Sequence, residues 1–205
     1  MKQSQDSTVA IATECALLLA LLGCASPVTA TPDVCVLAPY LEPTSTLSQK
    51  APRALVPTSR PTLFLREPLT ELRIEAGTPP TAPGRIALLW SWQWQMGEPL
   101  EGPQPWPLEP LQPGQTVTVR MRPLGATSDH FASIELEAAG AQRLQAGDQL
   151  LASLAGKPAA WRPTIDGLLE KGDRSLATAL LFATEGPNVP DLNDLRRVVA
   201  QQSCR

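Results

Sequence analysis

The sequence has little of what most catalytic and metal sites require. It contains one histidine, His130, four cysteines, and neither a GxxxxGK[ST] phosphate loop nor a GxGxxG dinucleotide fingerprint. A zinc site of the cysteine and histidine type would lack ligands, so we expect no metal and no cofactor. The 17 basic residues are scattered among 20 acidic ones. Without a basic cluster to neutralise a row of phosphates, nucleic acid is not an expected partner.

Two groups of polar residues have the side-chain types of hydrolase sites. Ser128, Asp129 and His130 are adjacent, but a triad is defined by spatial roles, and these residue types are typical of a polar turn. A carboxylate pair for glycoside hydrolysis needs only the right separation in space. We expect the glutamates of the predicted strands to lie on solvated faces: Glu71, Glu75, Glu135 and Glu137. The sequence therefore predicts no enzyme, and a hydrolase is the third hypothesis.

The N-terminal segment, residues 1–30, has the pattern of an export signal. Its apolar run, 15–22, has the length of a signal-peptide core and is too short to span a bilayer comfortably. The motif Leu21-Leu22-Gly23-Cys24 resembles the bacterial lipobox, in which the cysteine is lipidated and becomes the first mature residue. Val28-Thr29-Ala30 offers a second cleavage site that would give a soluble product beginning at Thr31. The alternative is an N-terminal helix of the folded protein.

Removal of this segment would leave two cysteines, Cys35 and Cys204. In an oxidising envelope compartment, a disulfide between them would join the two ends of the mature chain. Closing so long a loop contributes about 4 to 5 kcal/mol in the chain-entropy model. The alternative is a pair of free thiols.

The rest of the chain changes character along its length. Residues 31–60 are rich in Pro, Ser and Thr without a period, which predicts an extended tether that includes one edge strand at Ala54-Leu55-Val56. Residues 61–139 alternate apolar and polar side chains between turn signals, as strands do. The predicted strands are 62–66, 69–76, 85–95, 115–122 and 131–138. A proline-rich loop between 97 and 114 carries Trp106 in its middle.

From residue 140 to 205 the period becomes helical. We predict short helices that end before Gly156 and Gly172, one that begins after an Asp173 N-cap, and a last one opened by Pro190. The sequence thus predicts a mainly β fold, in which a small antiparallel β-sandwich is followed by a short helical region.

Several motifs add a resemblance. The order is Pro61-Thr62-Leu63-Phe64, an alternating strand, a strand through Leu89-Trp90, a proline-rich loop, and Leu111-Gln112-Pro113-Gly114 before a strand. It resembles the fibronectin type III or immunoglobulin-like modules of bacterial envelope proteins. The layout of signal, sandwich and helical tail is also loosely similar to an uncharacterised family of secreted cyanobacterial proteins. The resemblance implies an immunoglobulin-like sandwich and an envelope address, and it supplies no activity.

Tryptophan gives the sharpest functional alternative. Trp90, Trp92 and Trp94 share one face of the predicted strand. We expect Trp90 and Trp92 to be core residues, and Trp94 and Trp106 to be partly exposed and able to bind a sugar.

The functional prediction is an exported, non-catalytic protein of the periplasm, outer membrane or cell surface, with a structural or protein-interaction role and a lipid anchor if Cys24 is processed. A carbohydrate-binding module acting on cell-wall polysaccharide is the alternative.

Overall fold

The computed structural model describes residues 34–41, 51–76, 88–93 and 98–203. The segment 1–33, with Cys24, lies outside this part of the chain, as do Trp94 and Cys204. In the described residues, strands and helices follow one another as β1 (Val36–Ala38), β2 (Arg53–Val56), β3 (Leu63–Ala76), β4 (Leu88–Gln93), β5 (Leu100–Gln104), β6 (Thr116–Pro123), β7 (Ala132–Ala138), α1 (Ala141–Leu154), α2 (Pro158–Glu170), α3 (Arg174–Leu181) and α4 (Pro190–Gln202). None of these helices has the length and hydrophobicity needed to cross a membrane.

The described strands form one curled sheet built around β3. Its path runs β1-β3-β6-β7-β2, and β4 and β5 also pair with β3. The first half of β3 is flanked by β1 and β5, and its second half by β4 and β6, all antiparallel. Strand β6 is antiparallel to β7, whereas β2 runs parallel to β7. The strand-rich fold is confirmed, and the sheet is mixed because β2 lies along β7 in the same direction.

The alternation of apolar and polar residues along β6 and β7 determines which face of the sheet is buried. The inward residues of β6 and β7 are Val117, Val119, Met121, Ile134 and Leu136, and all are fully buried. Their neighbours in sequence point to the opposite face and are only partly covered. One face of the sheet therefore makes the core, and the other carries mostly polar side chains.

The predicted tether contains two strands of this sheet. In β1, Leu37 and Ala38 are buried, and in β2 Ala54 and Val56 are buried. The expectation of an extended tether over 31–60 is wrong for its described parts, because β1 pairs with β3 and β2 pairs with β7. The predicted edge strand at Ala54-Leu55-Val56 is confirmed as part of β2.

The helices agree with the sequence prediction in number and order. Helix α2 has Pro158 in its first turn and Pro163 inside it. The side chain of Asp173 caps α3 by accepting a hydrogen bond from the N–H group of Leu176 at 3.2 Å, as predicted. Trp161 of α2 is buried and donates its Nε1–H to the carbonyl oxygen of Leu154 at 3.1 Å.

The helices pack onto the sheet through a second apolar cluster. Cys35 and Leu37 lie in it together with side chains from all four helices. At the start of β3, Phe64 packs on Phe182 with 4.8 Å between the ring centroids. The helical region therefore shares a core with the first strands of the sheet.

Candidate functional site

Trp90 and Trp106 pack against the core of the sheet and do not form an exposed platform. Trp106 is 6% exposed, packs in the core of the sheet, and donates its Nε1–H to the carbonyl oxygen of Glu109 at 2.9 Å. The expectation that Trp106 is partly exposed is wrong, because β5 pairs with β3 just before it and brings the ring over the core. Trp90 packs against the same core, as expected. Trp94 lies outside the described residues.

The polar trio at 128–130 lies in an exposed turn. Ser128, Asp129 and His130 are all exposed. A hydrogen bond from the side chain of Thr127 lowers the pKa of Asp129, helped by the backbone of Asp129 itself and opposed by slight desolvation. A carboxylate with these partners belongs to a local turn, in agreement with the sequence interpretation.

Two of the glutamates expected in solvent are buried. Glu71 is 1% exposed and Glu75 is 5% exposed. The expectation of a solvated face is wrong for both, because arginines of β3 and β6 cover them. Glu135 and Glu137 of β7 are partly exposed and pair with Arg53 of β2 at 3.0 Å and 3.2 Å.

The arginines that cover Glu71 and Glu75 surround one aromatic ring. The Cζ atoms of Arg73 and Arg120 each lie 4.7 Å from the centroid of the Phe131 ring, and that of Arg122 lies at 5.7 Å. Guanidinium groups at such distances are attracted by the ring electrons. Arg73, Arg120, Arg122 and Phe131 are called the arginine cluster below.

Like charges would repel each other in this cluster without the glutamates. Arg73 of β3 lies directly opposite Arg120 of β6, and two cations in such a pair destabilise a sheet. Glu71 accepts hydrogen bonds from Arg73 Nε at 2.5 Å and from Arg122 Nη2 at 2.7 Å. Glu75 lies 3.5 Å from Arg120 Nη1. The two carboxylates thus fix three guanidinium groups that would otherwise separate.

The cluster presents positive charge to the outside. The side chains of the three arginines keep between 21% and 31% of their exposure, whereas those of the two glutamates keep 1% and 6%. The Nε of Arg122 is buried and has no hydrogen-bond partner in the described residues. The arrangement can therefore bind a carboxylate or another oxyanion with prepositioned donors, and it contains no nucleophile of its own.

The described part of the chain contains one cysteine, Cys35, whose pairing with Cys204 stays a prediction. Cys35 is disulfide-bonded, and its N–H group donates to Glu67 Oε2 at 2.6 Å. No other cysteine lies within the described residues, so its partner lies outside them, as Cys204 does. The described residues contain no group of three or more side chains suited to a metal ion.

Sequence reasoning missed the arginine cluster. Arg120 and Arg122 alternate with the buried residues of β6, but the pairing of β3 with β6 that brings them to Glu71 is not local. The chain matches no protein-family model, no curated protein and no solved structure.

Proposed function

We propose that this protein is an exported, non-catalytic envelope protein that binds an acidic segment of a partner protein through the arginine cluster. The observation that supports this proposal is the arrangement of three guanidinium groups over two buried carboxylates. Arginine is enriched in protein interfaces, and its planar fork matches carboxylate geometry.

The prepositioning of the cluster favours binding over a purely structural role. A freely rotating arginine side chain on a protein surface loses conformational entropy when it binds a partner, and this loss reduces the affinity. Here Glu71 already holds Arg73 and Arg122, and the Phe131 ring supports all three guanidinium groups. Part of that cost is therefore met during folding, and the outer donors remain for a partner.

The disulfide at Cys35 supports export. Disulfides persist in oxidising compartments such as the periplasm and the cell surface. The export signal, with lipidation at Cys24 or cleavage before Thr31, remains part of the proposal. The immunoglobulin-like relationship also stays a proposal, supported by the alternating strands β6 and β7 and by the turn at Gly114 before β6.

Binding of a fluorescent acidic peptide tests the proposal. We expect the oxidised protein to bind a Glu/Asp-rich peptide, and binding to weaken as salt is raised. Replacing Arg73 or Arg120 by Gln should weaken binding about tenfold each, the usual value of a charged hydrogen bond. Arg53→Gln is the matched control, because Arg53 lies on the same sheet but outside the cluster.

Three results would count against this function. The first is that the unmodified protein does not bind the acidic peptide. The second is that the Arg73→Gln and Arg120→Gln variants bind it as tightly as the unmodified protein does. The third is that Arg53→Gln weakens binding as much as these two variants do. Thermal unfolding of each variant separates lost binding from lost folding. The carbohydrate-binding alternative would gain support if neutral glycans changed tryptophan fluorescence and Trp94→Ala abolished the change. A hydrolase would show turnover of such glycans.

A further inference from the structure

A second charged site lies in the helical layer and shares no residue with the arginine cluster. It is a cleft of about 400 Å³ between the end of α2, the start of α3, the start of α1 and the chain after β1. Its described lining residues are Tyr40, Arg143, Lys171, Gly172, Asp173, Arg174 and Ser175. The volume lies in the range of small-molecule sites, roughly 300 to 1,000 Å³.

One cation of the cleft is already neutralised. Arg143 Nη2 donates to Asp173 Oδ1 at 2.6 Å and to the Ser175 hydroxyl at 3.0 Å. Burial raises the pKa of Asp173, but its hydrogen bonds with Arg143 and the Leu176 N–H outweigh that effect and leave the pKa below its ordinary value. Asp173 is therefore ionised at neutral pH and balances Arg143.

Two other cations of the cleft have no such balance. Neither Lys171 nor Arg174 makes an ion pair within the described residues, although both line the cleft with the Arg143–Asp173 pair. The lining side chains therefore carry a net charge of +2, from three cations and one carboxylate. The carboxylate of Asp173 already caps the N-terminal end of α3. The excess positive charge of the cleft therefore comes from the side chains that line it, and not from the partial charge of that helix end.

We propose that this cleft binds a small acidic sugar derivative, a ring that carries one carboxylate or phosphate group. Lys171 and Arg174 provide two positive charges for the oxyanion. The hydroxyl group of Tyr40 can donate to and accept from a ring hydroxyl, whereas the Ser175 hydroxyl accepts from Arg143 and donates to Asp173. Arg143, with its Nε buried and without a partner in the described residues, holds Asp173 and Ser175 in place.

Titration calorimetry with four defined compounds tests the cleft. The compounds are glucuronate, glucose 6-phosphate, inorganic phosphate and neutral glucose, each added to the oxidised protein. We expect saturable binding of the two acidic sugars, weaker binding of inorganic phosphate, and none of glucose. Preference for the carboxylate or for the phosphate sugar identifies the oxyanion.

Variants decide whether binding occurs in this cleft. Lys171→Gln and Arg174→Gln should each weaken binding of the acidic sugar about tenfold. Lys157→Gln is the matched control, because Lys157 is exposed just before α2 and does not line the cleft.

Three outcomes would overturn the inference. They are no saturable binding of either acidic sugar, binding of glucose as tight as that of the acidic sugars, or a loss in Lys157→Gln as large as in the cleft variants. Peptide binding and sugar binding are measured on different variants. A protein that binds no acidic sugar would therefore overturn the cleft inference and leave the proposed function unaffected, and a protein that binds no acidic peptide would do the opposite.

Discussion

Replacing Glu71 by Gln should destabilise the protein more than any other single charge removal on the sheet. The change keeps the size and shape of the side chain but removes the charge that holds Arg73 and Arg122 at 2.5 Å and 2.7 Å. Three arginines around Phe131 would then be balanced by Glu75 alone. Repulsion between the directly opposed Arg73 and Arg120 would rise, because the carboxylate that pairs with Arg73 is gone.

The size of this effect follows from burial. Removing one partner of a fully buried ion pair costs about 3 to 5 kcal/mol. Because Arg73 and Arg122 keep 31% and 21% of their side-chain exposure, solvent screens part of the loss, and we expect about 2 to 3 kcal/mol. For a chain of this length, each kcal/mol lowers the melting temperature by roughly 2 to 4 °C. The expected decrease is therefore about 4 to 12 °C.

Chemical and thermal unfolding of the oxidised protein measure this effect, with Glu137→Gln as the matched control. Glu137 lies on the same face, but its side chain is 38% exposed and pairs with an exposed Arg53. Its loss should change stability by less than about 0.5 kcal/mol. Equal effects of the two substitutions would refute the argument that the carboxylates buried under the arginines hold the cluster together.

Three further substitutions test other parts of the structure. Gly147→Ala should cost about 1 to 3 kcal/mol in urea unfolding, because the added Cβ would lie 2.1 Å from the Pro57 carbonyl oxygen. Gly167→Ala, where a Cβ meets nothing within 4 Å, should instead stabilise α2 by up to about 1 kcal/mol; an unchanged or raised stability of Gly147→Ala, or a lowered stability of Gly167→Ala, would contradict the respective prediction. The depressed pKa of Asp173 adds stability that is present above its unfolded pKa and lost as pH falls below about 4. Unfolding titrations between about pH 2 and 6 should show this loss in the unmodified protein and not in Asp173→Asn.

The alternating strands could be predicted from the sequence because their pattern is local. In β6 and β7, every second residue is apolar. These apolar residues are buried, among them Val117 and Val119 of β6 and Leu136 of β7. The cap at Asp173 is local in the same way, since it acts on a residue three positions away.

The length of β3 could not be predicted because it depends on other strands. Pro68 separated two predicted strands at 62–66 and 69–76, yet one strand continues through it. The ladders with β5 and β6 shift register between Leu65 and Glu71, so the missing N–H group of Pro68 interrupts no regular pairing there.

The burial of Glu71 and of Trp106 could not be predicted from the sequence either. Alternation places Glu71 on the outer face correctly, but it does not show that Arg122, fifty-one positions away, covers it. The proline-rich surroundings of Trp106 indicate a loop and not the pairing of β5 with β3 that precedes the buried ring.

The predicted pairing of Cys35 with Cys204 stays a prediction. Val199 and Ala200 of α4 pack against the apolar cluster that contains Cys35. Helix α4 ends at Gln202, two positions before Cys204. We therefore retain Cys204 as the proposed partner.

Export underlies the proposed function, and the intact mass of the protein from its native host, with a count of free thiols, tests it most directly. The account predicts a chain that begins at an acylated Cys24 or at Thr31 and has no free thiol, with Cys35 linked to Cys204 in a peptide map. A chain that begins at Met1 and carries four free thiols would contradict it.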